Sequence, residues 1–344
     1  MGLCMKTPPI ITIGEILIDW VCQEPKLKEQ KIYDFKMAAG GAPANVAVGL
    51  ARLGYPVEFV GGVSDDSFGQ WLYEYLEASD VGTEHVQRLS QAVTRHAYVF
   101  TNEAGNRVLD NITSCQSPDS LLQSSMLALE RLQQVSMVYF GSVMQSSVDG
   151  AKNLDDILQL FPANVLTVYD PNIRTCLWSS QEQRLVHCLQ QSAQSVDILK
   201  LSDNELCFFT EEADIQTASR IIFDRYQPIL LVVTLGEDGA LYISSAGQGY
   251  IESYPVASVE MTGAGDGFVA GLLGGLYTLA QLKNQSAKET ALTLTLAEIK
   301  ALLHEANAVG ALATTQPGAT AGLPTKQQLN TFMLEHHPKE KMSS

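Results

Sequence analysis

Short runs of apolar, mostly β-branched residues recur along the chain and are separated by segments with helical periodicity. The apolar runs are IITI (10–13), VEFVGGV (57–63), VSMVYFGS (135–142), VLTVYD (165–170), VDILKLS (196–202) and ILLVVTLG (229–236). Runs that are apolar without alternation are typical of parallel strands buried on both faces. Helical spacing is found in residues 44–53, 67–78, 121–132 and 213–226. Strands that alternate with helices predict an α/β fold with a parallel sheet.

Two segments depart from this alternation and predict a second, smaller sheet. The first contains EILIDWV (15–21) and KIYDFKMA (31–38), and the second is TRHAYVFTNEAGNRVLD (94–110), with turn residues at 103–106. Both are expected to form hairpin strands with a polar face. We therefore expect a single domain over residues 1–344, with a small projecting sheet built from about residues 15–38 and 93–113.

Composition and charge narrow the classes of function. The formal net charge of −16 argues against nucleic acid or an anionic membrane as the main partner. No apolar run reaches the roughly 18 residues of a membrane-spanning helix, and the N-terminal MGLCMK lacks the apolar core of a signal peptide. The six cysteines include no CxxC pair, so we expect reduced thiols in a cytoplasmic protein.

The segment VEMTGAGDGF (259–268) places small residues at the start of a helical pattern. The backbone N–H groups of Gly263, Ala264 and Gly265 can converge on an anion there, and the helix dipole favours negative charge at the same point. A carboxylate at Asp266 would repel a phosphate, so it suits a base that removes a proton from a nucleophile attacking that phosphate. The alternative is a glycine turn with Asp266 as N-cap. No Walker-type GxxxxGK[ST] loop is present.

Two further stretches have residues suited to a small polar ligand. Gly40 and Gly41 allow close backbone approach ahead of a helix, and the amide of Asn45 in its first turn can donate to and accept from hydroxyl groups. The alternative is an ordinary loop-to-helix junction with Pro43 at the helix start. Asp19 interrupts an apolar extended run. If buried, it needs partners such as sugar hydroxyls, and otherwise it faces solvent.

Six motifs occur in the order found in the ribokinase/fructokinase family of sugar kinases, which the chain resembles over about residues 10–325. They are GEILIDW (14–20), AGGAPANVAVGLARLG (39–54), DPNIR (170–174), TLGEDGA (234–240), TGAGD (262–266) and ANAVGALATTQPGA (306–319). Ala42-Pro43 makes the second motif more similar to fructokinases than to ribokinases. The resemblance implies a ribokinase-like three-layer α/β sandwich with a mostly parallel central sheet, in which the small sheet is a lid.

The resemblance also implies an activity and a set of site residues. The expected reaction is transfer of the γ-phosphoryl group of ATP to fructose, giving fructose 6-phosphate. Ribose, 2-keto-3-deoxygluconate or a nucleoside stay open as acceptors, and so does a non-catalytic binding protein. By resemblance, Asp266 is the base and the N–H groups of Gly263, Ala264 and Gly265 form the anion hole. The other matches are Asp19, Gly40, Gly41, Asn45 and Arg174 for the substrate, Thr234, Gly236, Gly239, Asn307 and Gly318 for ATP, and Glu205, Glu260 and Thr262 for metal ions. A structural ion pair is the alternative role for Arg174.

Two departures from the family pattern concern the cations. The family usually has Asp-Thr-Thr before Gly-Ala-Gly-Asp, where the acid helps to hold a monovalent cation, but this chain has Glu260-Met261-Thr262. The magnesium-region motif Asn-x-x-Glu is Ser202-Asp203-Asn204-Glu205, so only Glu205 carries over. We expect Mg²⁺ to be essential and K⁺ to be a candidate second ion. The alternative is that Glu260 faces solvent and binds no ion. The oligomeric state stays open, and a homodimer through the lid is one candidate assembly, because an exposed lid sheet could pair with a second lid.

Overall fold

Two sheets and the helices around them make up the structure. The computed structural model describes residues 8–23, 33–101, 107–113 and 116–336. The strands are β1 (Ile10–Gly14), β2 (Leu17–Cys22), β3 (Phe35–Gly40), β4 (Val57–Ser64), β5 (Val86–Leu89), β6 (His96–Thr101), β7 (Arg107–Ile112), β8 (Met137–Phe140), β9 (Leu166–Tyr169), β10 (Ile198–Ser202), β11 (Leu230–Thr234), β12 (Gly239–Ser244) and β13 (Gly247–Glu252). The helices are α1 (Ala42–Arg52), α2 (Ser67–Ala78), α3 (Leu129–Leu132), α4 (Val148–Leu158), α5 (Glu182–Ser195), α6 (Asp203–Thr210), α7 (Ile215–Tyr226), α8 (Ala264–Lys283), α9 (Ala287–Leu292), α10 (Leu296–Ala313) and α11 (Lys326–Glu335).

The large sheet has nine strands in the order β13-β12-β11-β10-β9-β8-β1-β4-β5. Every pairing from β11 to β5 is parallel, and only β12 and β13 add as an antiparallel hairpin at one edge. All six apolar runs form strands of this sheet. Their side chains are buried on both faces, as continuous apolar runs predict. The predicted mostly parallel central sheet is confirmed.

Helices cover both faces of the large sheet, so the predicted three-layer sandwich is confirmed. One apolar core joins the sheet to α1, α2, α8, α9, α10 and α11, and the other joins it to α4, α5, α6 and α7. Helix α8 is apolar on nearly all sides because it is buried between the sheet, α1 and α10. No helix in the described part of the chain is both long and apolar enough to cross a membrane.

The single long helix predicted over residues 121–132 is wrong. The structure has two 3₁₀ turns, Pro118–Leu121 and Ser124–Met126, followed by the short α3. Leu122 between the turns has an extended ψ of 142° and is fully buried. The hydroxyl of Ser120 donates to the carbonyl of Ser117, which is the kind of local bond that competes with a helix. Leu122 and Leu127 therefore reach the core here without a helix, whereas Leu129 is exposed.

The second sheet has four strands in the order β3-β2-β6-β7, as the two irregular segments predict. The linking residues 24–32 and the predicted turn at 103–106 lie outside the described residues. Arg95 anchors this sheet to the main body: its buried guanidinium donates to both carboxylate oxygens of Asp119, at 3.2 and 2.8 Å, and to the carbonyl of Thr113, at 3.0 Å. The ends of β6 and β7 are thus tied together.

The order of the strands locates a crevice at one edge of the large sheet. From β1 the chain continues to β4 and β5 on one side, and it later returns to β8, β9 and β10 on the other. Loops that leave the carboxyl ends of parallel strands diverge at such a switch point, where α/β proteins commonly bind ligands. The second sheet begins directly after β1 and lies over this edge.

Candidate functional site

A cavity of about 1000 Å³ lies between the second sheet and the carboxyl edge of the large sheet. Leu17, Asp19, Ala97 and Val99 line it from the second sheet. The loops after β1, β8 and β9, Lys200 of β10 and the start of α8 line the other side. Of the residues predicted for the site, it brings together Asp19, Gly41, Asn45, Arg174, Glu260, Thr262, Gly263, Gly265 and Asp266. A volume of this size holds a hexose next to a phosphoryl group.

The first turn of α8 lies at the floor of this cavity. Gly263 is the N-cap with φ of 85°, and a Cβ atom at this position would lie 2.2 Å from the carbonyl oxygen of Ala319, so only glycine fits. Among the described residues, the N–H groups of Gly263 and Gly265 have no hydrogen-bond acceptor. The N–H of Ala264 donates to the carbonyl of Met261 at 3.2 Å and would have to leave it to bind an anion. These amides and the helix dipole form an anion site.

Asp266 is buried beside these amides and is held from two sides. The Asn45 amide donates to Oδ2 at 2.8 Å, and the Asn172 amide donates to Oδ1 at 3.2 Å. Burial raises the pKa of Asp266 above its usual value, and the Asn45 hydrogen bond, the charges of Arg174 and Lys200 and the Asn172 hydrogen bond oppose the shift. A carboxylate with a raised pKa and fixed orientation is suited to accept a proton. The N-cap alternative is wrong, because Gly263 is the N-cap of α8.

The start of α1 positions Asn45. Gly41 precedes the helix with φ of 103°, and a Cβ atom at this residue would lie 2.5 Å from the carbonyl oxygen of Glu15. Oε1 of Glu15 accepts a hydrogen bond from the backbone N–H of Ala42 at 3.0 Å. This contact satisfies an N–H group at the helix start and ties α1 to the end of β1. The loop-to-helix junction predicted at Pro43 is therefore present, and it also turns Asn45 towards Asp266.

Carboxylates and one guanidinium line the side of the cavity under the second sheet. Burial raises the pKa of Asp19 to about 7; Arg174 opposes this, whereas Asp266 and Glu260 add to it. Burial, followed by the charge of Asp119, raises the pKa of Glu15 to about 7. Asp19 faces the cavity rather than bulk solvent, and Gly40 leaves room for its carboxylate, since a Cβ there would lie 2.1 Å from Oδ2. Arg174 makes no ion pair within 4.0 Å among the described residues.

Glu260 faces the loop after α10, not solvent. It is 8% exposed, and its Oε2 accepts a hydrogen bond from the Gly318 N–H at 3.0 Å. The backbone N–H groups of Val259 and Glu260 also donate to the carbonyl of Thr314. Because Ala319 packs against Gly263, this loop is a physical link between Glu260 and the anion site. The solvent-facing alternative for Glu260 is excluded.

Glu205 lies behind the cavity wall and uses both carboxylate oxygens. Its Oε2 accepts from the N–H and hydroxyl of Ser202 in a capping box, and its Oε1 accepts from the N–H of Ile173 at 2.7 Å. Oε2 already accepts two hydrogen bonds and Oε1 keeps one further lone pair, so a contact to a metal-bound water fits this position better than direct ligation. No cluster of three or more His, Cys, Asp or Glu side chains suited to a metal occurs in the described residues.

The residues predicted for ATP are not in the cavity. Thr234 ends β11, and Gly236 and Gly239 flank a 3₁₀ turn one strand beyond β10, on the same edge of the sheet. Asn307 is buried in α10, and its amide donates to the backbone carbonyls of Ile251 and Glu252 in β13. The structure therefore assigns Asn307 a packing contact, and the nucleotide role of these residues stays a prediction.

Known proteins share this fold and this arrangement of motifs. A model described as the pfkB family carbohydrate kinase matches residues 8–326. The chain belongs to the pfkB family. The family match covers both sheets and every residue that lines the cavity. This membership makes the protein a carbohydrate kinase.

Relatives of this pfkB-family protein cover nearly its whole length. It is similar to a probable fructokinase-2 of Arabidopsis thaliana, with 32% identity, 94% of this chain and 95% of the relative covered. It is 34% identical to a fructokinase of Salmonella typhimurium, over 85% of this chain and 90% of the relative. A solved fructokinase with bound ATP from Xylella fastidiosa has a TM-score of 0.82 and 28% identity, covering 96% of this chain and 99% of that one. A Vibrio cholerae fructokinase double mutant, solved with fructose, ADP and potassium ion, has a TM-score of 0.79 and 27% identity, with 95% and 98% covered.

Sequence reasoning missed three residues that the structure places at the site of the pfkB-family kinase. Asn172 contacts Asp266, Glu15 holds the start of α1, and Lys200 lines the cavity in an ion pair with Asp170. Lys200 interrupts an apolar strand just as Asp19 does, so the same reasoning could have found it. Asn172 and Glu15 lie within motifs already singled out, but their own side chains give no local signal.

Proposed function

We propose that this pfkB-family kinase is a fructokinase, which transfers the γ-phosphoryl group of ATP to fructose and forms fructose 6-phosphate and ADP. The observation that carries this proposal is the environment of Asp266, a buried carboxylate held by two amides beside helix N–H groups that have no acceptor. Fructokinases that are 32–34% identical over most of the chain favour fructose over ribose, 2-keto-3-deoxygluconate or a nucleoside. The intact Asp266 site argues against a non-catalytic binding protein.

The geometry suits an in-line transfer with Asp266 as the base. Asp266 accepts the proton of the attacking sugar hydroxyl, while Asn45 and Asn172 keep its carboxylate oriented. A bond forms between the sugar oxygen and the γ-phosphorus, the bond from that phosphorus to the β–γ bridging oxygen breaks, and ADP leaves. The N–H groups of Gly263 and Gly265, joined by that of Ala264 once it leaves Met261, stabilise the phosphoryl oxygens. Each such donor contributes on the order of 3 kcal/mol.

On the sugar side, Asp19 and Asn45 bind hydroxyl groups, Gly40 and Gly41 allow close backbone approach, and Arg174 compensates the surrounding carboxylates. Residues of about 15–38 and 93–113 act as a lid on a single kinase domain. Closure of this lid excludes water from the reacting phosphoryl group. ATP turnover without sugar should therefore be a small fraction of turnover with it.

On the nucleotide side, Thr234, Gly236 and Gly239 form the phosphate loop, and Asn307 and Gly318 border the nucleotide. Bound Mg²⁺ neutralises phosphate charge, which a chain of net charge −16 needs. Glu205 would contact this ion through a water molecule. K⁺ is the candidate second ion, held by Glu260 and the carbonyl of Thr262 together with the loop after α10.

We further propose a cytoplasmic homodimer in which the lids of two copies pack together. Strand alternation places Asp19 and Val99 towards the cavity and the neighbouring aromatic side chains on the opposite face. There, Phe35 packs edge-on against Tyr98 and Phe100, with ring centroids 6.2 and 5.6 Å apart, and stays partly exposed. A partly exposed aromatic face of this kind is suited to pack against the same face of a second copy of the chain. Light scattering of the parent and of Phe35→Ser distinguishes dimer from monomer.

A panel of acceptors tests the proposed function. ADP release is measured with fructose, ribose, 2-keto-3-deoxygluconate, a nucleoside and no acceptor, at saturating ATP and Mg²⁺. Fructose should give the highest kcat/KM, with fructose 6-phosphate as product. A higher kcat/KM with another acceptor would replace the substrate assignment. No acceptor-dependent ADP release at all would favour a binding protein.

A further inference from the structure

A buried lysine lies at the phosphoryl side of the cavity. Lys200 belongs to β10, is 5% exposed, and reaches the cavity where the loop after β9 meets the start of α8. Its Nζ donates to Oδ2 of Asp170 at 3.0 Å, and Asp170 is fully buried. One acceptor leaves two of the three ammonium hydrogens available, since no second acceptor for Lys200 exists in the described part of the chain.

The ammonium group lies against the anion site. A Cβ atom built on Gly265 would be 3.4 Å from Nζ of Lys200, so this nitrogen is next to the first turn of α8. Gly265 offers one of the N–H groups that have no acceptor. The backbone donors of α8 and the side-chain donors of Lys200 therefore face the same small volume.

Lys200 is charged in this position. Burial by itself disfavours the ammonium form, but the neighbouring carboxylates of Asp170 and Glu205 outweigh it and raise the pKa of Lys200 above its usual value. Among the described residues the cavity is lined by one other cationic side chain, Arg174, whose charge acts on Asp19, Glu15 and Asp266. Lys200 differs in its position, because its Nζ lies beside Gly265 at the start of α8.

We propose that the Lys200 ammonium binds an oxygen of the phosphoryl group during its transfer, together with the N–H groups of Gly263 and Gly265. This inference rests on the proposed kinase reaction and adds a catalytic residue to it. Lys200 transfers no proton: the sugar hydroxyl proton goes to Asp266, and the ammonium only donates hydrogen bonds as negative charge moves towards ADP. Asp170 is then a positioning residue that fixes the lysine.

The competing explanation is that Lys200 only neutralises Asp170. The double variant Lys200→Met with Asp170→Asn distinguishes the two explanations, because it removes both charges and leaves no unpaired carboxylate. Lys200→Met alone and Lys200→Arg complete the series. Lys326→Met is the matched control, since Lys326 also forms a partly buried ion pair, with Glu305 at 2.9 Å, and its helix α11 lies outside the cavity lining.

The measurement is kcat and KM with the acceptor that the parent enzyme phosphorylates, and the affinity for ADP by calorimetry. Loss of one phosphoryl donor should lower kcat by about 10²-fold in Lys200→Met and equally in the double variant. Lys200→Arg should recover part of the rate, and ADP affinity should change less than about threefold, because ADP lacks the transferred group. If Lys200→Met does not fold, the double variant gives the result.

Two outcomes would overturn the proposal: a kcat of the double variant close to that of the parent, or a loss of ADP affinity as large as the loss of kcat. Lys326→Met should behave as the parent does, and an equal loss in this control would point to a general effect of removing an ion pair. Failure of the proposed function is distinguishable, because it appears in the parent enzyme as absence of acceptor-dependent ADP release.

Discussion

The side-chain amide of Asn45 donates to Oδ2 of Asp266 over 2.8 Å, although the two residues are 221 positions apart in the chain. The contact joins the first turn of α1 to the first turn of α8. Asn172, in the loop after β9, approaches the other carboxylate oxygen. Two segments, the start of α1 and the loop after β9, thus orient a carboxylate that belongs to a third segment, at the switch point of the sheet. The expected effects of substitutions at the site follow from this arrangement.

Replacement of Asp266 by Asn should remove the base and leave the shape of the site intact. We expect kcat to fall by roughly 10²–10⁴-fold, with ATP affinity largely unchanged, because only proton abstraction requires the charge. Steady-state kinetics and ATP calorimetry on the same preparation check this. Turnover within a few-fold of the parent would exclude Asp266 as the base.

Replacement of Asn172 by Gly should move the acidic limb of the pH–rate profile. A donated hydrogen bond favours the ionised carboxylate, so the Asn172 amide lowers the pKa of Asp266, which burial has raised. Without this hydrogen bond the pKa of Asp266 rises further, so the base stays protonated up to a higher pH. The acidic limb of the pH–rate profile therefore shifts to higher pH. Glycine tolerates the φ of 46° at this position.

The matched control for this change is Asn284→Gly. Asn284 has a φ of 51° at the end of α8, far from the cavity lining, so its replacement repeats the backbone change without touching Asp266. The profile of kcat/KM for fructose between pH 5 and pH 9, about the range in which a raised carboxyl pKa would act, is compared for all three proteins. Equal profiles for both variants would show that Asn172 does not tune the base.

The parallel core of this fold was predictable from sequence, and its edges were not. Strands β1, β8 and β10 are buried on both faces, so their apolar residues are continuous and recognisable. Strand β13 alternates partly buried and exposed residues in a short edge hairpin, and only Ile251 is buried, so its apolar periodicity is weak. The leucines of residues 121–132 match a helical period, yet a local hydroxyl bond and two 3₁₀ turns bring Leu122 and Leu127 to the core instead.

The site was predictable where a residue type conflicts with its local surroundings. The carboxylate of Asp266 beside small residues is such a conflict, and so is Asp19 in an apolar strand. Glu15 and Asn172 raise no conflict locally, because their roles arise from contacts to Ala42 and Asp266 across the fold. The hydrophobic periodicity of a sequence indicates which face of a helix or strand is buried and where that element ends. It gives no distances between segments that are far apart in the chain. Those contacts therefore had to come from the structure.

Replacement of Glu15 by Gln should stabilise the ligand-free protein increasingly above pH 4.5, with the full gain reached above about pH 7. The folded-state pKa of Glu15 is about 7 against an ordinary 4.5, so ionising it in the fold is unfavourable. Below pH 4.5 the carboxyl is protonated in both states and there is no difference. As pH rises from 4.5 to about 7 the parent loses stability relative to the variant, and above about 7 the difference stays constant. The shift corresponds to about 3 kcal/mol.

Urea denaturation at pH 5 and pH 8, roughly either side of that shift, measures the effect. Gln keeps an oxygen that can accept from the N–H of Ala42, so the start of α1 should stay in place. The exposed Glu77→Gln is the control and should show no pH-dependent gain. An equal change in unfolding free energy at both pH values for Glu15→Gln would contradict the buried, titrating carboxyl.

Replacement of Glu205 by Gln should raise the Mg²⁺ concentration that gives half-maximal rate, because an amide is a weaker partner for a metal-bound water. It should also weaken the capping box of α6. Glu289→Gln makes the same change in the capping box of α9, away from the cavity, and so controls for the loss of the negative charge at a helix start. A Mg²⁺ titration identical to that of the parent would leave Glu205 with a structural role alone.

Glu260 should make the response to K⁺ weak. Its carboxylate is one methylene longer than the Asp of the family pattern, and it already accepts from the Gly318 N–H at 3.0 Å. An ion held by this carboxylate, the carbonyl of Thr262 and the loop after α10 is then displaced by about an ångström, and a displacement of that size can cost about 10²-fold in rate. We expect slight activation of the parent by K⁺ and stronger activation of Glu260→Asp.

The decisive measurement is a K⁺ titration at constant ionic strength, with tetramethylammonium as the replacing cation and Glu77→Asp as the control for shortening an exposed acid. In Glu260→Asp the shorter side chain no longer reaches the N–H of Gly318, so its carboxylate oxygens are free to bind K⁺. The bound ion then holds residues 314–319 against Gly263. The variant should therefore be slower than the parent without K⁺ and should gain more from it. A flat response in both proteins would show that this chain has lost the ion site.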